Sequence, residues 1–443
     1  MMKKKTMSRL STIAHNIQVL EELKVDNVWA ANQVDFDLIT TTKGKQIVAY
    51  YDVNRMMTVG IRDTRENSWV KTILPSQLVW DSHNFVRLGI DKRGYIHLSG
   101  NMHVRPLIYF RSALPYEVSQ MTEINSMIGE DEDRVTYPCF FHDKAGDLYF
   151  SYRNGSFGDG STIINKYDIA QERWKRHLSV PLFSKPFKGK HKIAYQKSIL
   201  GIDGRFHFIW MWRSSPLVET CHQLCYASSI NLLDWQNSAG VRVEPPFRPD
   251  TDELTVDDVP ERSGLHNGRQ LIIVDKHNDP VICYVKDDQH GCSQIFAAKP
   301  NKDGWHIVQL SSWEFKWEFH GQGDKMSEGI AFNFLGFAHD ELIIDYRTPE
   351  GEVGQFFLNT EKMELGIKKH ELTDLFIPNL YEAGEDESGM YENWRTDNIE
   401  TLGRDNIYLL RWLSRPKSHG KHAPDVIPNE PIASLNIVKV SIS

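Results

Sequence analysis

Cysteine is scarce in this chain: five residues among 443, namely Cys139, Cys221, Cys225, Cys283 and Cys292. The odd number argues against a framework in which every thiol is paired. Long apolar runs are missing too, and no stretch approaches the roughly 18 residues that a membrane-spanning helix needs. The opening Met-Met-Lys-Lys-Lys has the cationic start of a secretion signal, but Ser11, Thr12, His15, Asn16 and Gln18 break up the apolar centre that should follow. No clear signal peptide is therefore read, and the compartment stays open. Basic excess is also absent: 51 Lys and Arg against 59 Asp and Glu give a net charge of −8. That excludes a general nucleic-acid binder and requires any anionic ligand to find a locally basic cleft. Helix signals are few and no low-complexity linker divides the chain, so one domain is expected.

Aromatics are plentiful, at 11%, with 12 Trp and 16 Tyr. Such residues suit sheets and sugar-stacking surfaces alike. A short theme recurs, in which a turn containing Gly or Asp leads into an apolar or alternating strand. Copies begin at Gly44, Gly94, Gly146, Gly204, Asp279, Asp340 and Asp405, spaced 50 to 75 residues apart. Seven copies at this spacing predict an all-β, seven-bladed β-propeller of four short strands per blade, over residues 30–443. Trp174, Trp235 and Trp305 stand near turns in a way that resembles a worn Asp-box of sialidase-type propellers, with no copy intact. Residues 1–29 read as an N-terminal extension. Within it, Leu10, Ile13, Ile17, Leu20 and Leu23 predict one short helix over 6–24. The polar segments 113–135 and 240–266 read as loops on one rim.

The chemistry-bearing residues concentrate between 81 and 160, with a further piece near 195. They are Asp81-Ser-His83-Asn84, then Ser99-Gly-Asn-Met-His103-Val-Arg105-Pro-Leu, then Tyr137, and Tyr152-Arg153-Asn154-Gly155-Ser-Phe-Gly158-Asp-Gly160, with Tyr195 beyond. Inner strands of a propeller converge on its axis, so His83, His103, Tyr137, Arg153 and Tyr195 can meet at one mouth. Gly155, Gly158 and Gly160 would let backbone pass close to a ligand. Each residue has a plain alternative: a hydrogen-bonded structural histidine, a tyrosine packed at a strand start, an arginine in a buried ion pair.

These motifs resemble the BNR-4 group of propellers. Within it they are most similar to ulvan lyases of polysaccharide lyase family twenty-five, with family twenty-four as a relative. The resemblance covers roughly residues 30–415. It implies eliminative cleavage of a sulfated rhamnose–uronate polymer, and places His83, His103, Tyr137, Arg153 and Tyr195 in the active site. It also implies a secreted or periplasmic enzyme and a structural zinc.

The residue types suit that reaction. Elimination removes the proton alpha to a uronate carboxylate and expels the 4-linked sugar. Arg153 is expected at the carboxylate, where charge builds, because arginine pairs with it bidentately and stays charged. His103 and Tyr137 are expected to be the acid/base pair, since histidine titrates near neutrality and a phenol is a natural acid. His83 would orient the uronate or exchange roles with His103, and Tyr195 would position substrate. Asn84, Arg105, Asn154, Arg213, Arg262 and Arg347 are the candidate substrate-binding groups, with Arg395 a further cation. No cofactor is expected for catalysis. A structural Zn²⁺ is expected on His222, Cys225, His290 and Cys292, with Cys221 as a substitute, because equivalent loops of neighbouring blades share a rim. Two other readings stand beside the lyase: a sialidase-like glycoside hydrolase, which needs a carboxylate pair that these motifs do not offer, and a non-catalytic carbohydrate-binding propeller.

Overall fold

The computed structural model describes residues 17–156, 160–183, 193–249, 251–321, 329–338, 340–366, 374–375, 389–397, 406–418 and 423–442. Among them the protein is all-β, with seven antiparallel sheets and only two short 3-10 turns, Val218–Thr220 and Asp252–Leu254. No helix among the described residues is long and apolar enough to cross a membrane.

The sheets follow chain order. The first holds Asp37–Thr40, Lys45–Tyr51, Met56–Asp63 and Val70–Gln77, each paired with the next. The second holds Val86–Ile90, Ile96–Gly100, Tyr109–Ser112 and Met121–Glu123; the third Val135–His142, Leu148–Asn154, Ser161–Asp168 and Arg173–Arg176. The fourth is built on Ile193–Leu200, Phe206–Arg213, Cys221–Ser229 and Trp235–Gln236, the fifth on Gln270–Val274, Pro280–Asp287, Ser293–Asn301 and Gly304–Gln309. The sixth contains Ala331–Ala338, Glu341–Arg347, Val353–Asn359 and Glu364–Leu365, and the seventh Tyr391–Thr396, Asn406–Ser414, Ile432–Ile442 and Ile17–Trp29. Every one of the seven turn–strand copies read in the sequence supplies the second strand of its own sheet. These strands have neighbours on both edges and both faces, which is why Phe206–Arg213 is buried throughout.

The cores lie between successive sheets. Phe150, Tyr152 and Trp174 of the third sheet pack with Tyr109 of the second, while Trp210, Trp212 and Trp235 of the fourth pack with Tyr149 of the third. Trp412 and Leu435 of the seventh sheet share a core with Leu38 and Ile47 of the first and Val86 of the second.

The N-terminus differs from the expected helix. Residues 17–24 are extended, inside a strand that runs antiparallel along Ile432–Ile442, from Ile17 opposite Ile442 to Trp29 opposite Ile432. Residues 17–29 thus belong to a sheet rather than to an extension ahead of the sheets. The apolar spacing that suggested a helix face leaves Leu20 46% exposed. A partner strand some 400 residues away in sequence supplies the ladder, and that tertiary pairing overrides local periodicity. Residues 6–16 of the expected helix lie outside the described residues. The expected loop segments carry short strands, Met121–Glu123, Arg242–Val243 and Thr255–Asp257.

Candidate functional site

The turn 81–84 leads into the second sheet. Its Asp81 carboxylate accepts three hydrogen bonds: from the His83 backbone N–H at 2.9 Å, from His83 Nδ1 at 2.7 Å and, on its other oxygen, from His103 Nδ1 at 2.6 Å. Burial alone would raise this carboxyl, but the bonds from His103 and His83 more than offset it and hold Asp81 well below the usual range. A carboxylate only accepts, so each neutral ring carries its proton on Nδ1 and turns an Nε2 lone pair away from Asp81. The two imidazoles lie 4.3 Å apart at 30° and stay about a third exposed.

His103 comes from a crossing strand. After the second sheet's Ile96–Gly100, the chain runs as His103–Arg105 along the third sheet, with His103 opposite Thr136 and Arg105 opposite Val135. Val104 N–H donates to the Thr136 hydroxyl at 2.8 Å. The next residue, Tyr137, sits in a bulge, where pairing jumps from Thr136 opposite Arg153 to Cys139 opposite Ser151. Asn101, Val104 and Tyr137 all have positive φ, at 63°, 55° and 58°. Non-glycine residues avoid this region, and such strain gathers where a side chain must be aimed.

The bulge points the Tyr137 ring edge-on to His83 at 6.0 Å, stacked on Phe85 at 6.2 Å and under the Arg153 guanidinium at 4.8 Å. A Cβ on Gly160 would stand 2.8 Å from Arg153 Cδ, so glycine there keeps room for the arginine. Gly158 lies outside the described residues. Tyr195 completes the group. Its hydroxyl accepts from Arg213 at 3.4 Å, and burial pushes its pKa up to about 12, with Tyr137 adding to the rise against Arg213 and Arg153. Tyr195 is therefore a phenol, able to donate, at any ordinary pH. His83, His103, Tyr137 and Arg153 thus form one chain of ring contacts, with Tyr195 of the fourth sheet within electrostatic reach of Tyr137 and Arg153.

The substrate-binding candidates divide. Arg105 is exposed beside His103. Asn84 is 1% exposed and enclosed. Asn154 accepts from Arg134 N–H at 3.1 Å and so braces a loop. Arg213 holds the 215–217 turn through the carbonyls of Ser215 and Leu217, each at 3.2 Å, and orients Tyr195 rather than standing free. Arg262 is exposed with φ 64°, its N–H tied to Glu219 O. Arg347 ends the second strand of the sixth sheet, away from the cluster in sequence, and Arg395 pairs with buried Asp37 at 3.0 Å.

The expected zinc ligands do not come together. Cys225 packs into the core between the third and fourth sheets, beside Trp210 and Ala227. His290 and Cys292 stand on the fifth sheet's hairpin, on the opposite side of the fourth sheet, and Cys221 packs on that side too. A bulge at Gln223, with φ 49°, shifts the strand's alternation so that Cys221 and Cys225 face different ways. Among the described residues, the one trio with ligating atoms close together is Asp81, His83 and His103, all within 4.8 Å.

Solved structures with the same fold agree in architecture. The polysaccharide lyase Uly1 superposes with a TM-score of 0.63 at 14% identity, covering 95% of this chain and 99% of its own. An ulvan lyase of polysaccharide lyase family twenty-five gives 0.57 at 12%, covering 88% and 92%. The same kind of ulvan lyase bound to -[GlcA(1-4)Rha3S]- gives 0.58 at 12%, covering 88% and 93%. No curated protein matches the sequence. The family model described as BNR repeat-containing matches residues 45–313, more than half of the chain, and the chain belongs to that family.

Proposed function

We propose that this protein is a polysaccharide lyase on a closed seven-bladed propeller, cleaving an acidic, sulfated rhamnose–uronate polymer of the ulvan kind by β-elimination. The observation that carries the reading is the pair of imidazoles on one carboxylate, set against Tyr137, Arg153 and Tyr195. The seven sheets, the packing of the seventh on the first and the likeness to ulvan lyases support the architecture.

In this reading the uronate carboxylate lies against Arg153, whose charge stabilises the carbanion-like transition state; one good donor of this kind contributes roughly 3–4 kcal/mol. His103 Nε2, a lone pair by virtue of Asp81, takes the C5 proton. The C5 electrons form the C4–C5 double bond as the C4–O4 bond breaks, and Tyr137 protonates the departing O4. His83 orients the uronate. Tyr195 donates a hydrogen bond, its high pKa keeping it out of base catalysis. A glycosidase-like hydrolysis would want two free carboxyls. Among the described residues of this cluster the carboxylate is Asp81, engaged by both histidines.

The test is ultraviolet absorbance during incubation with ulvan and a panel of other uronate polymers. The conjugated alkene–carboxylate left by elimination absorbs, and hydrolysis leaves none. A rise with ulvan that disappears in His103→Ala and Tyr137→Ala supports the lyase. New reducing ends without absorbance would establish a hydrolase, and binding without turnover a carbohydrate-binding propeller.

A further inference from the structure

We propose that His83 and His103 form a two-imidazole clamp for a divalent transition-metal ion of the Zn²⁺ or Cu²⁺ class, bound through their Nε2 atoms, and that the ion shuts the site. The argument starts from Asp81. Two ligands on one tetrahedral ion at about 2 Å sit roughly 3.3 Å apart. The contacts from Asp81 to the rings, 2.7 and 2.6 Å, are too short for that, and are hydrogen bonds. Asp81 is thus the orienting acceptor behind two rings, with one carboxylate fixing both Nδ1 atoms and leaving both Nε2 atoms turned away from it.

This is the arrangement that metal-binding histidines ordinarily have: the other ring nitrogen donates to a carboxylate, which sets the tautomer and raises ligand basicity. The rings lie 4.3 Å apart at 30° and about a third exposed, close enough for both to reach one ion after they turn toward it. Imidazole nitrogens suit Zn²⁺ and Cu²⁺, with Cu²⁺ the tighter, and are poor ligands for Ca²⁺ and Mg²⁺. The groups facing the clamp are the Tyr137 ring beside His83 and Arg153 over that ring. Arg105, next but one to His103, adds a further cation nearby. These positive charges keep the site from being a general cation trap, so binding depends on nitrogen coordination. The site is distinct from the cysteine-containing set expected from the sequence.

The shutting step rests on the lyase reading, because an ion on Nε2 occupies the lone pair that would take the C5 proton. Binding itself does not rest on that reading. Calorimetric titration of the full chain with ZnCl₂ is compared with the same titration of His83→Gln/His103→Gln, with CaCl₂ as the control. The proposal expects the variant to lose one Zn²⁺ equivalent, Asp81→Asn to weaken that equivalent 10- to 100-fold, and Ca²⁺ to give no heat at this site. Equal stoichiometry and affinity in the double variant overturn it. Should the variant melt early, Cu²⁺ broadening of imidazole resonances in the unaltered protein decides instead: selective loss of the His83 and His103 signals supports the clamp, and their persistence overturns it. In the absorbance assay, inhibition by Zn²⁺ that a chelator reverses supports the shutting step, and undiminished turnover with the ion bound overturns it. A protein that binds Zn²⁺ here yet turns over no polymer once a chelator has removed the ion would refute the lyase reading and leave the clamp standing.

Discussion

Histidines of this chain differ in surroundings rather than in kind. His97 and His207 each lie three residues after a turn glycine, on the second strands of the second and fourth sheets. Each is fully buried and bonded to a tyrosine hydroxyl on the next strand, Tyr109 at 2.6 Å and Tyr226 at 2.8 Å. His83 and His103 instead stand half open on a shared carboxylate. The sequence separates these cases only through the motifs around them. Asp81 stood inside its motif without a role, because an Asp two residues before a His looks like an ordinary turn former. Its role tests simply. In Asp81→Asn the amide oxygen still accepts from one ring, but the amide N–H₂ must donate to the other, which then carries its proton on Nε2. Turnover is expected to fall on the order of 10²- to 10⁴-fold with KM little changed, the size of a lost acid–base contribution. A variant that loses KM and kcat together would mean that Asp81 merely holds the turn.

At the scale of elements, the bulge and the crossing strand do the aiming. Thr136 is fully buried, and its hydroxyl accepts the Val104 N–H that joins the His103–Arg105 strand to the third sheet. Thr136→Val keeps the shape and removes that acceptor. A donor left without a partner costs about 1–3 kcal/mol, so the melting temperature should drop by several degrees. Turnover should fall more than that loss explains, because both His103 and Tyr137 hang from this junction. Unchanged turnover in a destabilised protein would show that the site does not depend on the crossing strand. Elements of this kind explain what was legible. Turn glycines and aspartates mark each second strand directly, so seven copies read out as seven sheets. The first strand of the chain was misread as a helix because its partner, Ile432–Ile442, lies at the other end. The cysteine and histidine set failed because a bulge at Gln223, which leaves no mark in composition, changes which face Cys225 occupies. The Thr136–Cys139 bulge is equally silent, yet it did no harm, since the motifs had already put Tyr137 at the site.

For the whole molecule, the seventh sheet joins the two ends of the chain, and the site leans on that join. Ser418, just past Asn406–Ser414, accepts from Ser82 N–H at 3.3 Å and is bonded in turn to Asn32. Deleting residues 1–29 would strip a strand from this sheet and bare Val438 and Val440. A large fall in melting temperature is expected, and turnover should be lost with it. Acid acts on the same structure through buried imidazoles. Burial pushes His207 down to about 4 and His266 down to about 3, and both are essentially inaccessible. Unfolded histidine takes its proton near 6.5. Above that value both states are neutral and these residues leave stability independent of pH. As pH falls below it, the unfolded chain binds protons that the folded one refuses, so stability is lost steadily down to about 4 for His207 and about 3 for His266. The slope is about 1.4 kcal/mol per pH unit for each residue. Asp81 and the other depressed carboxyls weigh in only below the ordinary carboxylate range, whereas burial raises Asp345 to about 6, so the folded protein takes that proton first and offsets about one histidine between 6 and 4.5. Denaturant unfolding across that window should show stability falling with acidity, and His207→Asn should flatten the slope by about 1.4 kcal/mol per pH unit. Equal slopes in the two proteins would show that His207 takes up its proton without unfolding.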